Sequence, residues 1–125
     1  MKEMYERGLE IRKEVLGKEY VESSINNATD FNRELQEIVT TYCWGEIWNR
    51  EGLPKKTRSI INLAMITALN RPHELKLHVH GALRNGLTEV EIKEVLLQTA
   101  IYCGVPAAID SFRVAKEVID NYQDE

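Results

Sequence analysis

The chain has 125 residues, the length of one domain with its own core, and a single domain over 1–125 is expected. Its composition, 43% apolar and 29% charged, is that of an ordinary globular protein and excludes an intrinsically disordered chain. The net charge of −4, with basic residues scattered along the chain, argues against nucleic-acid and anionic-membrane partners. An anionic ligand would have to find its own local cations.

Met1–Glu10 is charged from the start and lacks a signal peptide's apolar stretch. No window approaches the roughly 20 apolar residues of a membrane span, so a cytoplasmic protein is expected. Cys43 and Cys103 form no CxxC and are expected as buried, reduced thiols.

No window alternates apolar and polar residues with β-branched enrichment, so no strand is expected. The first helix should run from Lys2 to Leu16 and close at Gly17, and a short one from Lys18 to Asn27. The next spans Thr29–Trp48, with Phe31, Leu35, Ile38, Val39 and Tyr42 on one stripe. Gly45 weakens its end. After the break at Gly52–Pro54, the segment Pro54–Asn70 is apolar nearly all round, the pattern of a central helix covered on every side. Pro72 opens a helix to Asn85, closed by Gly86. Thr88 and Glu91 have the spacing of a capping box, which starts a helix that stops at Gly104 with Ile92, Val95, Leu96, Thr99 and Ala100 inward. Pro106 starts the last helix, with Ala108, Phe112, Ala115, Ile119 and Tyr122 as its stripe. The expected fold is all-α, a compact bundle of six to seven helices.

All three histidines lie in the segment His73–Gly86. At about 100° per residue, Leu75, Val79, Ala82 and Leu83 form its core stripe. His78 sits on a shoulder of that stripe with Glu74 one turn before it, while His80 points nearly the opposite way beside Lys76 and Arg84. A carboxylate bonded to one ring nitrogen would leave the other free to give or take a proton. The same spacing also suits plain surface pairing, with Glu74 stabilised by the helix dipole. Three histidines on one straight helix cannot converge on zinc, and no HExxH occurs, so no metal is expected. Arg58 has the planar fork that grips a carboxylate, and so does Arg71; Trp44 and Trp48 are neighbours that could wall a pocket or fill a core. Leu77 and Gly81 give the same helix a second apolar or small-residue side, which fits a subunit contact.

The run from Glu74 through Gly86 to Ile92, then Glu94 to Ala108, resembles the carboxymuconolactone decarboxylase family. Trp44-Gly-Glu-Ile-Trp48-Asn-Arg50-Glu-Gly-Leu53 and Arg58 with Ile60, Ile61 and Leu63 fit it in the same order. The likeness covers about residues 30 to 115. It implies an AhpD-like helical subunit in a ring-like homo-oligomer, often a hexamer. The implied activity is cofactor-free loss of CO2 from a small anionic carboxylated lactone, 4-carboxymuconolactone, giving 3-oxoadipate enol-lactone. His78 takes the proton-donor position, with Glu74 orienting it. Arg58, and His80 from a neighbouring helix or subunit, would hold anionic groups, and Trp44 would exclude water. The wider superfamily includes alkylhydroperoxidases with a CxxC and a histidine four positions later. Aligned through His78, those cysteine positions hold Arg71 and Glu74, so the redox pair is absent. Decarboxylase members often carry arginine where this chain has His80. A thiol-dependent antioxidant, or another small-molecule enzyme or binder on the same scaffold, is the alternative reading.

Overall fold

In the computed structural model, which describes residues 1–123, the first helix (α1, Lys2–Leu16) stops at Gly17. The φ of 95° there is open to glycine and strained for other residues. A second helix (α2, Lys18–Asn26) follows at once. A short helix (α3, Arg33–Ile38) then runs directly into a nine-residue π-helix, Val39–Ile47. Beyond Pro54 come α4 (Lys55–Leu69), α5 (Pro72–Arg84), α6 (Glu89–Tyr102) and α7 (Val105–Asn121). No strand occurs among the described residues, and none of their helices is long and apolar enough to cross a membrane. The chain forms two compact units, Met1–Pro54 and the part from Lys55 onward.

In the first unit α1 packs against the π-helix with backbone on backbone. A Cβ added to Gly8 would strike the Thr40 carbonyl oxygen and lie 2.7 Å from the Gly45 nitrogen. One added to Gly45 would strike the Met4 carbonyl oxygen and lie 2.9 Å from the Met4 Cγ. The π-helix bonds each N–H five residues back, as Trp48 N–H does to the Cys43 carbonyl at 3.0 Å. That wider turn changes which side chains face α1. The expected stripe is overturned: Phe31, Leu35, Ile38 and Tyr42 are exposed, and Thr40, Thr41, Trp44, Gly45 and Trp48 are buried. Small residues at the contact let α1 approach closely, and the two indoles supply the apolar burial there. The indoles of Trp44 and Trp48 stack with centroids 4.6 Å apart.

The core of the second unit joins Leu63 of α4, Leu75, Val79 and Ala82 of α5, Leu87, Ile92 and Leu96 of α6 and its approach, and Ala115 and Val118 of α7. Two polar contacts, one buried and one partly buried, tie it together. Ser111 donates to the Thr67 hydroxyl at 3.0 Å, and Asn85 Nδ2 donates to the Ser59 hydroxyl at 2.8 Å. The second bond sets the end of α5 against the start of α4. The expectation that α4 is covered on every side fails within one chain, because Ile61, Met65 and Leu69 are exposed along one edge. An all-round apolar pattern cannot tell a helix buried in its own fold from one facing another surface.

The capping box forms as read: the Glu91 N–H donates to the Thr88 hydroxyl, and the Thr88 N–H donates to the Glu91 carboxylate at 2.9 Å. The Thr88 backbone bond, together with Lys56, holds the Glu91 carboxyl below its usual range. Thr88→Ala should cost about 1 kcal/mol, read as a lowered urea midpoint with unchanged slope.

Candidate active site

Pro72 occupies the first turn of α5, where its missing N–H costs nothing, and fixes where the helix begins. From that start the register follows: Leu75, Val79 and Ala82 are buried, and His78 stands half-buried on the shoulder of the stripe. Glu74 is exposed in the first turn. It acts on His78 through its charge, and no hydrogen bond joins the two side chains. Burial outweighs that charge and pulls the His78 imidazole below its ordinary value of 6.5. At neutral pH the ring is therefore mostly uncharged, ready to accept a proton and to hydrogen-bond as donor or acceptor.

His80 lies on the other side of α5. Its ring rests against Tyr122 just beyond α7, with centroids 5.8 Å apart and planes tilted by 55°. Arg58 is half-buried near the start of α4. The Asn85–Ser59 bond puts that end of α4 beside the last turn of α5, seven residues from His78. At 1.5 Å per residue this is about 10 Å along the helix. Trp44 belongs to the first unit, stacked on Trp48 and 3% exposed. Arg71 is exposed at the N-cap of α5. Among the described residues no three His, Cys, Asp or Glu side chains are grouped to hold a metal ion.

Both cysteines are exposed, against the expectation of burial. The Cys43 environment still pushes its thiol up, with the Arg12 charge pulling weakly the other way, so it is not an activated thiolate. Arg12 is a residue that the sequence reading passed over. It is buried and donates through Nη1 to Gln36 Oε1 at 2.9 Å and Thr40 Oγ1 at 3.0 Å. Burial pushes its guanidinium below the usual arginine range. The available signal was its place between Ile11 and Val15 on the apolar face of α1.

The second unit also bears two open grooves, of 740 Å³ between α6 and α7 and 360 Å³ between α4 and α6. Neither is lined by His78.

Residues 33–117, from the start of α3 to the last turns of α7, match the sequence model of the carboxymuconolactone decarboxylase family. The chain belongs to that family. It is 43% identical over 122 residues to a nitrosuccinic acid decarboxylase of Metarhizium robertsii, covering 98% of this chain and 85% of the relative. It is 42% identical over 114 residues to a 4-carboxymuconolactone decarboxylase of Acinetobacter baylyi, covering 91% of this chain and 85% of the relative. Both relatives, matched over 85% of their length, are named as decarboxylases, and this chain is an enzyme of the lyase class.

Proposed function

We propose that the chain is a cofactor-free carboxy-lyase that removes CO2 from 4-carboxymuconolactone to give 3-oxoadipate enol-lactone. The observation that carries this reading is the pair of decarboxylases matched at nearly equal identity over nearly the whole chain. The acids in their names differ in skeleton and share one property. In each, the electrons left by the departing carboxylate have a place to go: the lactone through the ring alkene, or the nitro group. The substrate is its own electron sink, and the protein needs only to hold anionic groups, shield the site and return a proton.

In the proposed cycle the C–C bond to the carboxylate breaks, its electron pair stays on the substrate, and the protonated His78 imidazole delivers H⁺ to carbon. An anionic substrate beside His78 would draw the ring's pKa upward, so the proton is taken from solvent as substrate binds. Glu74 adds to that pull and orients the ring, Arg58 holds a carboxylate, and His80, on the other side of α5, serves a neighbouring subunit's site. The nitrosuccinic acid relative supports a second substrate reading, an open-chain acid whose nitro group accepts the electrons. Purified chain incubated with each acid should release CO2 from at least one. No CO2 from either would end the proposal.

We also propose a ring-like homo-oligomer, probed as a hexamer. The exposed edge of Ile61, Met65 and Leu69, with Leu97 and Ile101 on α6, supports self-association.

A further inference from the structure

Two exposed surfaces of this chain combine apolar side chains with opposite charge balances. Phe31, just before α3, is 95% exposed, and Leu35 and Ile38 are 59% and 54% exposed. Leu35 and Ile38 are one turn apart on α3, and Phe31 lies in the turn just before that helix, three exposed apolar side chains within eight residues. Around them stand Asp30, Glu34 and Glu37 against Arg33, three acids and one base, a balance of −2 over residues 30–38. Arg33 is already tied to Asp30, while Glu34 and Glu37 have no ion pair among the described residues.

The 740 Å³ groove between α6 and α7 has the complementary character. Ile92, Leu96, Phe112 and Ile119 supply an apolar floor. Its rim carries Lys93, Arg113 and Lys116 against Glu89 and Asp120, three bases and two acids, a balance of +1. Arg113 and Lys116 are paired with Asp110 and Asp120, which leaves Lys93 as the rim cation with no ion pair among the described residues. The smaller groove between α4 and α6 has no charged residue in its lining and offers the acids nothing.

We propose that the Phe31–Leu35–Ile38 face of one copy seats in the α6–α7 groove of a second copy, with Glu34 and Glu37 turned toward Lys93. The contact joins two different surfaces, so it is heterologous, the kind of contact that builds a ring when its rotation closes. It rests on the self-association proposed above and adds to the α4–α6 edge a second, separate contact between copies.

Light scattering on the eluting full-length chain tests the pairing. Phe31→Asp and Lys93→Glu should each lower the assembled mass, with at least a tenfold rise in dissociation constant and an unchanged far-ultraviolet helical signal. Both positions are exposed, and the two changes alter the two sides separately. Mixing the two variants should raise the mass again, because one intact face and one intact groove remain in the mixture. Combining Glu34→Lys and Glu37→Lys with Lys93→Glu in one chain should restore assembly that either side alone loses. An oligomer indifferent to all of these changes would overturn the pairing and leave self-association standing. A monomeric wild-type chain would overturn both.

Discussion

His78→Asn should lower kcat by roughly 10²- to 10⁴-fold with a small change in KM, because a proton donor acts in the transition state and contributes little to ground-state binding. Steady-state CO2 release measures it, and turnover close to wild type would remove the imidazole from the mechanism. The pH dependence gives a second reading of the same residue. The protonated ring is the active form, and burial holds its pKa below 6.5 in the free enzyme. The kcat/KM profile should therefore be flat at low pH and fall once pH passes that depressed value, and His78→Asn should abolish the limb. Glu74 raises the His78 pKa through its charge, so Glu74→Gln should move the limb further toward acid. A purely structural role for Glu74 would leave the limb where it was. Stability follows with the opposite sense. The unfolded chain takes up the His78 proton near 6.5 and the folded chain only at lower pH. Folding free energy from this group is thus fully present above 6.5 and falls as pH drops below it. Urea midpoints on either side of that value, compared between wild type and His78→Asn, resolve the contribution.

Gly8→Ala should be the most damaging single-methyl change in the first unit. The added carbon would collide with the Thr40 carbonyl oxygen and sit 2.7 Å from the Gly45 nitrogen. Both are backbone atoms of the π-helix, so no flexible side-chain end can swing aside, and the helices must separate. Overpacking of this kind costs about 3 kcal/mol or more. The measurement is the denaturant midpoint, with a fall in the near-ultraviolet signal of the Trp44–Trp48 stack as a local marker. A midpoint within experimental error of wild type would show that the two helices do not touch as described. Gly52→Ala is the matched control, since nothing lies within 4 Å of a Cβ there.

Where most of the helices start and stop was legible because glycine, proline and capping residues act locally. Gly17, Pro72 and the Thr88–Glu91 box each fix a boundary through backbone geometry or one hydrogen bond, independent of distant packing. The inward register of α5 was legible for the same reason: once Pro72 sets the start, the helical period alone puts Leu75 and Val79 inside, with His78 on the shoulder. The segment 29–48 was misread because periodicity at 3.6 residues assumes an α-helix, and a π-helix breaks that assumption from within. Arg12 was passed over because its polar partners, Gln36 and Thr40, come from sequence 24 and 28 residues away.

By itself the sequence determined the helical class, most helix boundaries and the face on which His78 lies, because propensity, capping and period are properties of a few neighbouring residues. Only the tertiary structure decided that α1 and the π-helix meet at Gly8 and Gly45, that His80 leans on Tyr122, and that Asn85 at the end of α5 bonds Ser59 at the start of α4. It also left Phe31 and one edge of α4 bare. Those outcomes depend on which surfaces fit closely enough to exclude water, a competition among residues far apart in the chain that no local pattern records.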